Sequence, residues 1–299
     1  MAGDGAGVRV GVVGHVEWVQ FACVECVPRP GEIVHADAVF SDAGGGGAVA
    51  AVQLRKLAGA ATFLTALGHD EAARQASERL EEHYGVTLHA AARPAPQRRT
   101  FTFLDAAAER TITVLGERIV PAHGDPLPWE SLGDLDGIYF TGGDAGALRE
   151  ARRARVLVAT PRARAALSGS GVRLDVLVGS ATDPGEVYEP GELDPEPRVV
   201  VRTRGEAGGS WEATGSAALG DGAPAWLPPE PSGTWEATPL PGPPVDAYGC
   251  GDSFAAALAY GLAAGLDLAE TLHLAARCGA ACLSGRGPYE GQLELEQHR

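Results

Sequence analysis

The chain has 299 residues, of which 45% are hydrophobic, so it is long enough to bury the core of one large α/β domain. Its 39 acidic and 24 basic residues give a formal net charge of −15. This charge repels nucleic acids and anionic membrane surfaces, and no apolar stretch is long enough to span a bilayer, so we expect neither partner.

The cysteines and the N-terminal residues predict a cytoplasmic protein with reduced thiols. The five cysteines are an odd number, and residues 1–7 lack a basic segment followed by an apolar run. Cys23 and Cys26 have the spacing of half a zinc site, but no second pair of cysteines or histidines completes a tetrahedral set. We therefore interpret them as buried or half-buried strand residues.

Strands and helices alternate along most of the chain. The first predicted elements are a strand, a helix, a strand and a helix, at residues 8–13, 48–57, 61–67 and 70–84. Later strands are predicted at residues 137–140, 155–159, 176–178 and 199–203, and the last helices at 253–265 and 268–284. This order predicts a doubly wound, mostly parallel sheet with helices on both faces.

Two segments interrupt the alternation. Residues 18–40 and 100–115 are rich in Val, Phe, Thr and Ile, and no helix separates their strands. We expect each segment to form a hairpin, and both to form a small β lid over one end of the main sheet. The predicted organisation is a single domain over residues 1–299, with lid segments at about 16–42 and 98–116 inserted in it.

The segment Tyr248-Gly249-Cys250-Gly251-Asp252 carries the strongest chemical signal. It directly precedes an Ala-rich helix, so its glycines lie at a helix N-terminus, where bare N–H groups bind anions. Asp252 is placed at the mouth of this site to accept the proton of an attacking hydroxyl group. The alternative is a glycine-rich turn in which Asp252 only caps the helix.

Residues 246–252, with the sequence Asp-Ala-Tyr-Gly-Cys-Gly-Asp, resemble the second signature of the ribokinase-like (phosphofructokinase-B type) carbohydrate and nucleoside kinase family. Further similar segments follow in the family's order, at residues 28–32, 44–47, 66–70, 109–112 and 203–209. The resemblance implies a ribokinase-like fold, with ATP and Mg²⁺ as cofactors. It also implies a hydroxyl acceptor that is a sugar, a nucleoside or a phosphosugar.

The resemblance assigns roles to single residues. It makes Asp252 the catalytic base. The residues that it assigns to the anion hole are Gly249, Cys250 and Gly251. Those that it assigns to the nucleotide site are Thr203, Gly205 and Gly208. Arg286, between Gly285 and Gly287, is a further candidate for contact with the nucleotide.

Metal ligands are implied at two places. Asp183 lies where the family usually has Asn-x-x-Glu, and it keeps a carboxylate for Mg²⁺; the alternative is that residues 180–183 cap a helix or turn that begins at Pro184. A monovalent cation such as K⁺ often lies beside the anion hole in this family. Its first ligands here would be Asp246 and the carbonyl group of Ala247.

The acceptor site departs from the family's pattern. Members usually carry an Asn and an Asp two residues apart after the first strand, and Glu17 and Val19 occupy these positions here. Ala48 also replaces a common Asn in the glycine signature. Valine cannot hydrogen-bond a diol, so the usual acceptor contact is absent unless Glu17 replaces it. The alternative is that Glu17 is a solvated strand residue.

Other residues are candidates for contact with the acceptor. They are Gly44, Gly45, His15, Asp144 and Arg99. Asp144 follows a central strand, where the ligand sites of such sheets lie. Arg99 and the preceding Arg98 come before a lid strand, and both are predicted to contact an anionic acceptor such as a phosphosugar. Paired surface arginines that only solvate a sheet edge are the alternative.

We therefore predict an ATP-dependent phosphotransferase with an atypical acceptor site. The alternative is a catalytically altered or non-catalytic nucleotide- or metabolite-binding protein of the same fold, which the missing Asp at position 19 suggests. A Rossmann-type oxidoreductase is excluded because no Gly-x-Gly-x-x-Gly follows the first strand. We also predict a homodimer paired through the lid, because the apolar residues of 18–40 suit an interface.

Overall fold

The computed structural model describes residues 7–214 and 223–295. Within these ranges the strands are β1 (Val10–Val13), β2 (Glu17–Cys23), β3 (Ala38–Gly44), β4 (Thr62–Leu67), β5 (Thr87–Ala92), β6 (Arg99–Leu104), β7 (Arg110–Leu115), β8 (Gly137–Phe140), β9 (Val156–Ala159), β10 (Val176–Ser180), β11 (Val199–Thr203), β12 (Gly209–Ala213) and β13 (Ser232–Trp235). The α-helices are α1 (Gly46–Ala58), α2 (Glu71–Glu78), α3 (Ala145–Ala151), α4 (Arg164–Leu167), α5 (Cys250–Ala263) and α6 (Leu268–Leu283). No helix in these ranges has the length and apolar composition needed to cross a bilayer.

One large sheet organises the chain. In the described ranges it has nine strands, in the order β13-β12-β11-β10-β9-β8-β1-β4-β5. The neighbours from β11 through β5 run parallel, whereas β12 and β13 are added antiparallel at one edge. Val12 packs in the core that contains α1 and α5, and the next residue, Val13, packs in the core that contains α3. Both faces are therefore covered by helices, and the predicted doubly wound fold is confirmed.

The structure corrects several local predictions. No strand is predicted at residues 87–92, yet β5 pairs there with β4 over its whole length. The helix predicted over 70–84 is α-helical only to Glu78 and continues as a π-helical turn to His83. Cys26 is an exposed loop residue rather than a strand residue, whereas Cys23 is half-buried in β2.

The two predicted lid segments form one small sheet. Its strand order in the described ranges is β3-β2-β6-β7, with β2 and β6 parallel and the other pairs antiparallel. Phe21 of β2 stacks on Phe40 of β3 and meets the Tyr248 ring edge-on, with ring centroids 4.6 Å and 5.1 Å apart, respectively. This face therefore lies over the segment that contains Asp252. The lid role of the sheet and the single-domain organisation stay predictions.

The large sheet reverses its strand order between β1 and β8, which are parallel neighbours. His15 follows the end of β1, and Thr141 follows the end of β8. A Cβ on Gly14 would collide with Oγ1 of Thr141, so glycine permits this close approach. Ligands of open α/β sheets bind at the carboxyl ends of strands at such a reversal. His15 and Thr141 therefore lie where a ligand site is expected.

Candidate active site

The segment predicted to bind an anion lies at the N-terminus of α5, where no side chain caps the helix. Gly249 caps the helix in the left-handed conformation, with a φ of 85° that glycine adopts without strain. Gly251 is exposed, and a Cβ placed on it would meet no atom within 4 Å. The thiol of Cys250 points inward, with its Sγ 3.9 Å from the carbonyl oxygen of Asp246. The backbone N–H groups of this turn are therefore left facing open space, as an anion site requires.

Asp252 lies inside the first turn of α5, because the helix begins earlier than the sequence predicts. Burial raises the pKa of its carboxyl group to about 7, and the negative charge of Glu186 contributes to the rise. Arg110, Arg162 and Arg118 act in the opposite direction. A carboxyl group with this pKa is partly ionised at neutral pH and accepts a proton efficiently, which suits a general base.

The first turn of α1 lies between Asp252 and two acceptor candidates. A Cβ on Gly46 would lie 2.7 Å from Oδ1 of Asp252. On Gly45, whose φ is 83°, a Cβ would lie 3.1 Å from Cδ2 of His15 and 3.2 Å from Cγ of Glu17. The missing side chains of Gly45 and Gly46 therefore allow Asp252, His15 and Glu17 to gather around one turn of the chain.

Glu17 and His15 are buried, and an arginine lies against each. Oε1 of Glu17 lies 2.9 Å from Nε of Arg98 and 3.7 Å from Nε2 of His15. Arg118 donates a hydrogen bond to Nδ1 of His15 at 2.9 Å. We call His15, Glu17, Arg98 and Arg118 the acceptor cluster. Since the side chain of Glu17 is only 10% exposed, it is not a solvated strand residue.

Burial is the main cause of the pKa shifts of Glu17 and His15 in the acceptor cluster. Burial raises the pKa of Glu17, and the guanidinium groups of Arg98 and Arg118 counteract this rise. Burial lowers the pKa of His15 well below its usual value, and the charge of Arg118 lowers it further. His15 is therefore neutral at pH 7. A guanidinium group only donates hydrogen bonds, so Arg118 is the donor and Nδ1 of His15 is the acceptor.

Val19 and Tyr248 close the position at which the family carries its acceptor aspartate. Val19 is fully buried, and a Cβ on Gly44 would lie 2.5 Å from its Cγ2 and 2.7 Å from the hydroxyl oxygen of Tyr248. That hydroxyl accepts a hydrogen bond from the N–H of Gly45 at 3.0 Å. The buried, apolar side chain of Val19 offers no hydrogen bond to a ligand. Polar contacts with a ligand beside β2 would therefore have to come from the acceptor cluster.

The predicted magnesium ligand, Asp183, is paired with Arg162. It also accepts the N–H of Gly185 at 2.8 Å, so it caps a turn as well. Arg162 binds a second carboxylate, Glu186, whose Oε1 lies 2.6 Å from its Nε. Within residues 7–214 and 223–295, no three His, Cys, Asp or Glu side chains form a metal site. Mg²⁺ usually needs only one or two carboxylates beside substrate phosphates, so Asp183 and Glu186 fit an ion that arrives with a nucleotide.

The oxygens predicted to bind a monovalent cation already have protein partners. Burial raises the pKa of Asp246, and its carboxylate accepts the N–H groups of Tyr248 and Gly287, each at 2.8 Å. The carbonyl of Ala247 accepts a hydrogen bond of 3.0 Å from Arg110, at the start of β7. In this structure a guanidinium group therefore supplies the positive charge beside the anion site.

Three of the predicted nucleotide residues lie together. Thr203 ends β11, and Gly205 and Gly208 lie in the turn before β12, with φ angles of 56° and 73°. Arg286 instead lies against the small sheet, with its guanidinium carbon 5.1 Å from the ring centroid of Phe40. The turn between β11 and β12 is thus the candidate nucleotide segment that the structure brings together.

Two acceptor candidates lie outside the acceptor cluster. Asp144 is exposed and caps α3, where its Oδ1 accepts the N–H of Ala147 at 2.7 Å. Arg99 is exposed at the start of β6, whereas the preceding residue, Arg98, contacts Glu17. A role for Asp144 or Arg99 in binding stays a prediction.

Sequence reasoning missed five charged or polar residues of the site: Arg110, Arg118, Arg162, Glu186 and Tyr248. Arg110 and Tyr248 lie in segments that resemble the kinase family, so their neighbourhood was a usable signal. Arg118 and Glu186 belong to no recognised motif. Their proximity to Asp252 arises only when three separate parts of the chain fold together.

A family model matches the C-terminal part of the chain. The model for the pfkB family of carbohydrate kinases matches residues 196–294, which include Asp252 and the turn between β11 and β12. No curated protein matches the sequence.

Solved kinase structures have the same fold. Ribokinase from Giardia lamblia superposes with a TM-score of 0.73 at 15% identity, and ribokinase from Arabidopsis thaliana, complexed with ribose and ATP, with 0.70 at 19%. A nucleoside kinase from Methanocaldococcus jannaschii gives 0.67 at 15%. Each alignment covers 96% of both chains. The chain thus has the ribokinase-like fold, and the match over residues 196–294 supports the resemblance to the pfkB-type carbohydrate kinases.

Proposed function

We propose that this chain is an ATP-dependent kinase that phosphorylates an alcohol group of a sugar or nucleoside. The observation that carries the proposal is Asp252, a carboxyl group with a pKa of about 7 that lies in the first turn of α5 beside an open anion site. The relatives that share the fold include a ribokinase complexed with ribose and ATP, and a nucleoside kinase.

In the proposed reaction, the acceptor oxygen forms a bond to the γ-phosphorus of ATP while the bond from that phosphorus to its bridging oxygen breaks. The proton of the acceptor hydroxyl passes to the carboxylate of Asp252. The N–H groups of residues 249–251 stabilise the negative charge of the transferring group, because they point at it from the positive end of a helix. The products are ADP and a phosphorylated alcohol.

Cationic side chains assist the same step. Arg110 and Arg162 lie close enough to Asp252 to lower its pKa, so they also attract the phosphate groups of a bound nucleotide. Mg²⁺ would neutralise phosphate charge, with Asp183 and Glu186 as the protein groups that would hold it. A K⁺ requirement stays a prediction, because Arg110 already contacts the carbonyl of Ala247.

The small sheet would exclude water from the reaction. Arg110, in its strand β7, contacts the carbonyl of Ala247, and Phe21, in β2, contacts the ring of Tyr248. Both contacts join the sheet to the segment that carries the base. A sheet held in this position shields the acceptor hydroxyl and strengthens the electrostatic interactions inside the site.

The proposal includes a cytoplasmic homodimer formed through the small sheet. Its outer face, opposite Phe21, leaves Val39 and Leu115 57% and 47% exposed. Apolar side chains at such exposure favour association with a second copy. Light scattering that reports a monomer at micromolar concentration would contradict this part of the proposal.

The test is ADP release from ATP and Mg²⁺ in the presence of sugars, nucleosides and phosphorylated sugars. We expect at least one alcohol to stimulate ADP formation. Asp252→Asn should lower kcat by about 10²- to 10⁴-fold, the usual range for loss of a general base.

Asp267→Asn is the matched control. Asp267 caps α6 in a capping box, and asparagine caps helices about as well as aspartate, so this variant should keep full activity. The catalytic assignment is wrong if no alcohol stimulates ADP release or if Asp252→Asn retains the parent rate.

A further inference from the structure

Arg118 is a half-buried cation without a carboxylate partner. Its guanidinium donates to Nδ1 of His15 at 2.9 Å, to the carbonyl of Thr141 at 3.2 Å and to the carbonyl of Arg162 at 3.0 Å. All three acceptors are uncharged, because His15 is neutral. In the part of the chain that the structure describes, no ion pair includes Arg118.

The acceptor cluster offers this cation only a shared counter-charge. Its one carboxylate, Glu17, is paired with Arg98 at 2.9 Å. Glu17 also counteracts the fall in the pKa of Arg118, but it makes no ion pair with Arg118. Burial lowers the pKa of Arg118, and the charge of Arg98 lowers it further, so the two guanidinium groups lie close enough to repel each other. Two cations thus share one carboxylate, in a chain whose net charge is −15.

An unused hydrogen-bonding group lies at the same place. Oγ1 of Thr141 is buried without a partner, and it belongs to the residue whose carbonyl Arg118 contacts. Buried polar groups are normally satisfied, so a free hydroxyl oxygen beside a cation without an ion-pair partner indicates that a polar ligand completes this site.

We propose that the acceptor alcohol carries an anionic group, a carboxylate or a phosphate, and that Arg118 binds this group with Arg98 beside it. The inference rests on the proposed kinase function and names its substrate class. A guanidinium presents its N–H donors in a planar fork that matches the oxygens of either anion. The ligand's charge would replace the missing counter-charge and relieve the repulsion between Arg98 and Arg118.

The position of Arg118 also orients the acceptor. Its charge reaches Asp252 and counteracts the rise in the pKa of that carboxyl group. His15, which Arg118 contacts, and Asp252 lie around the same turn, at Gly45 and Gly46, so an acceptor whose anionic end lies on Arg118 is held beside the base. An ion pair in this place substitutes for the diol contact that Val19 cannot make, because the side chain of Val19 is apolar and fully buried.

The first experiment compares matched acceptors. D-ribose and D-glucose are each supplied as the neutral sugar, as the corresponding sugar acid and as the terminal phosphate ester, and ADP release is measured. We expect the anionic members to have the higher kcat/KM. Arg118→Gln should lower kcat/KM for these members about 10- to 100-fold and for the neutral sugars less than about 3-fold, because a hydrogen-bonded ion pair is lost only in the former. The better anionic member distinguishes a carboxylate from a phosphate.

Two further variants keep this result interpretable. Arg118→Lys retains the charge without the planar fork, so it should restore part of the anionic preference if Arg118→Gln folds poorly. Arg9→Gln removes an arginine whose side chain is 61% exposed, and it should behave as the parent. Neutral sugars that are turned over better than their anionic forms, or an equal loss on both in Arg118→Gln, would overturn the inference and leave the kinase proposal intact.

A second experiment does not depend on turnover. Calorimetry measures the binding of inorganic phosphate and of acetate to the parent protein, Arg118→Gln and Arg9→Gln. We expect Arg118→Gln alone to weaken at least one anion by about 10-fold or more. Equal binding in all three proteins rejects the anion site. Anion binding at Arg118 without any ADP release supports the site and rejects the kinase proposal, so the two failures are distinguishable.

Discussion

The start of α5 and the acceptor cluster differ in the groups that carry positive charge. At the start of α5, the candidate anion site consists of backbone N–H groups, and the thiol of Cys250 points away from it. In the acceptor cluster, long side chains from separate segments carry the charge, and Arg118 has only uncharged partners. A backbone site depends little on side-chain identity, whereas a side-chain cluster changes with each substitution. If the two regions bind phosphate and acceptor as proposed, phosphate binding should tolerate side-chain substitution better than acceptor binding.

The largest expected effect is on the pH dependence of the unfolding free energy, through Asp252 at the start of α5. The pKa of Asp252 is raised in the folded state to about 7 from an ordinary value of 3.8, so between these values the folded protein holds a proton that the unfolded chain has lost. Stability therefore falls as the pH rises, and the whole penalty is present above pH 7. Asp252→Asn cannot ionise, and its advantage in unfolding free energy should grow by roughly 3 kcal/mol between pH 5 and pH 8.

Urea unfolding of the parent and of Asp252→Asn at both pH values measures this difference. Asp267→Asn is the control, because the exposed capping residue Asp267 is not desolvated. A pH-independent gap between the parent and Asp252→Asn would show that Asp252 is not a desolvated carboxyl group.

The pH dependence of the reaction is the next test. A base must be ionised, so kcat/KM should rise with pH and level off above an apparent pKa of about 7. The expected loss between pH 8 and pH 5 is about 100-fold, since the ionised fraction falls tenfold per pH unit below the pKa. A profile that is flat from pH 5 to pH 8 contradicts Asp252 as the base.

The substitution Gly251→Ala tests anion binding at the start of α5 without destabilising the helix. A methyl group here meets no protein atom, and alanine favours helix by up to about 1 kcal/mol over glycine, so the folded protein should be unchanged or slightly stabilised. If a phosphate group occupies the open space, the methyl group excludes it, and kcat/KM for ATP should fall about 10-fold or more. Thermal unfolding and ATP kinetics together decide, and unchanged kinetics would place the phosphate elsewhere.

The substitution Glu17→Gln tests the acceptor cluster and has the smallest expected effect. We expect the KM for the acceptor to change about 3- to 10-fold, upward for a neutral alcohol that Glu17 binds and downward for an anionic alcohol that it repels. The KM for ATP should stay constant, because Glu17 lies beside His15 and Arg98 rather than at the start of α5. A change in the KM for ATP alone would remove Glu17 from the acceptor site.

Local patterns predicted much of this molecule. The alternation of apolar runs predicted the doubly wound sheet, and a glycine segment before an Ala-rich helix predicted the site around Asp252. Both signals are local, because they depend on residues a few positions apart. The pattern missed β5, whose Ala-rich sequence becomes a strand only by pairing with β4.

The sequence by itself determined that Asp252 lies at the start of a helix with glycines beside it, since helix formation and a left-handed Gly249 depend on near neighbours. Only the tertiary structure decided what surrounds this carboxyl group. The pKa of Asp252 depends on burial and on charges from distant segments, including Glu186 and Arg118. Charge and burial act through space, so the place of Arg118 beside His15 and Glu17 became visible only in the folded chain.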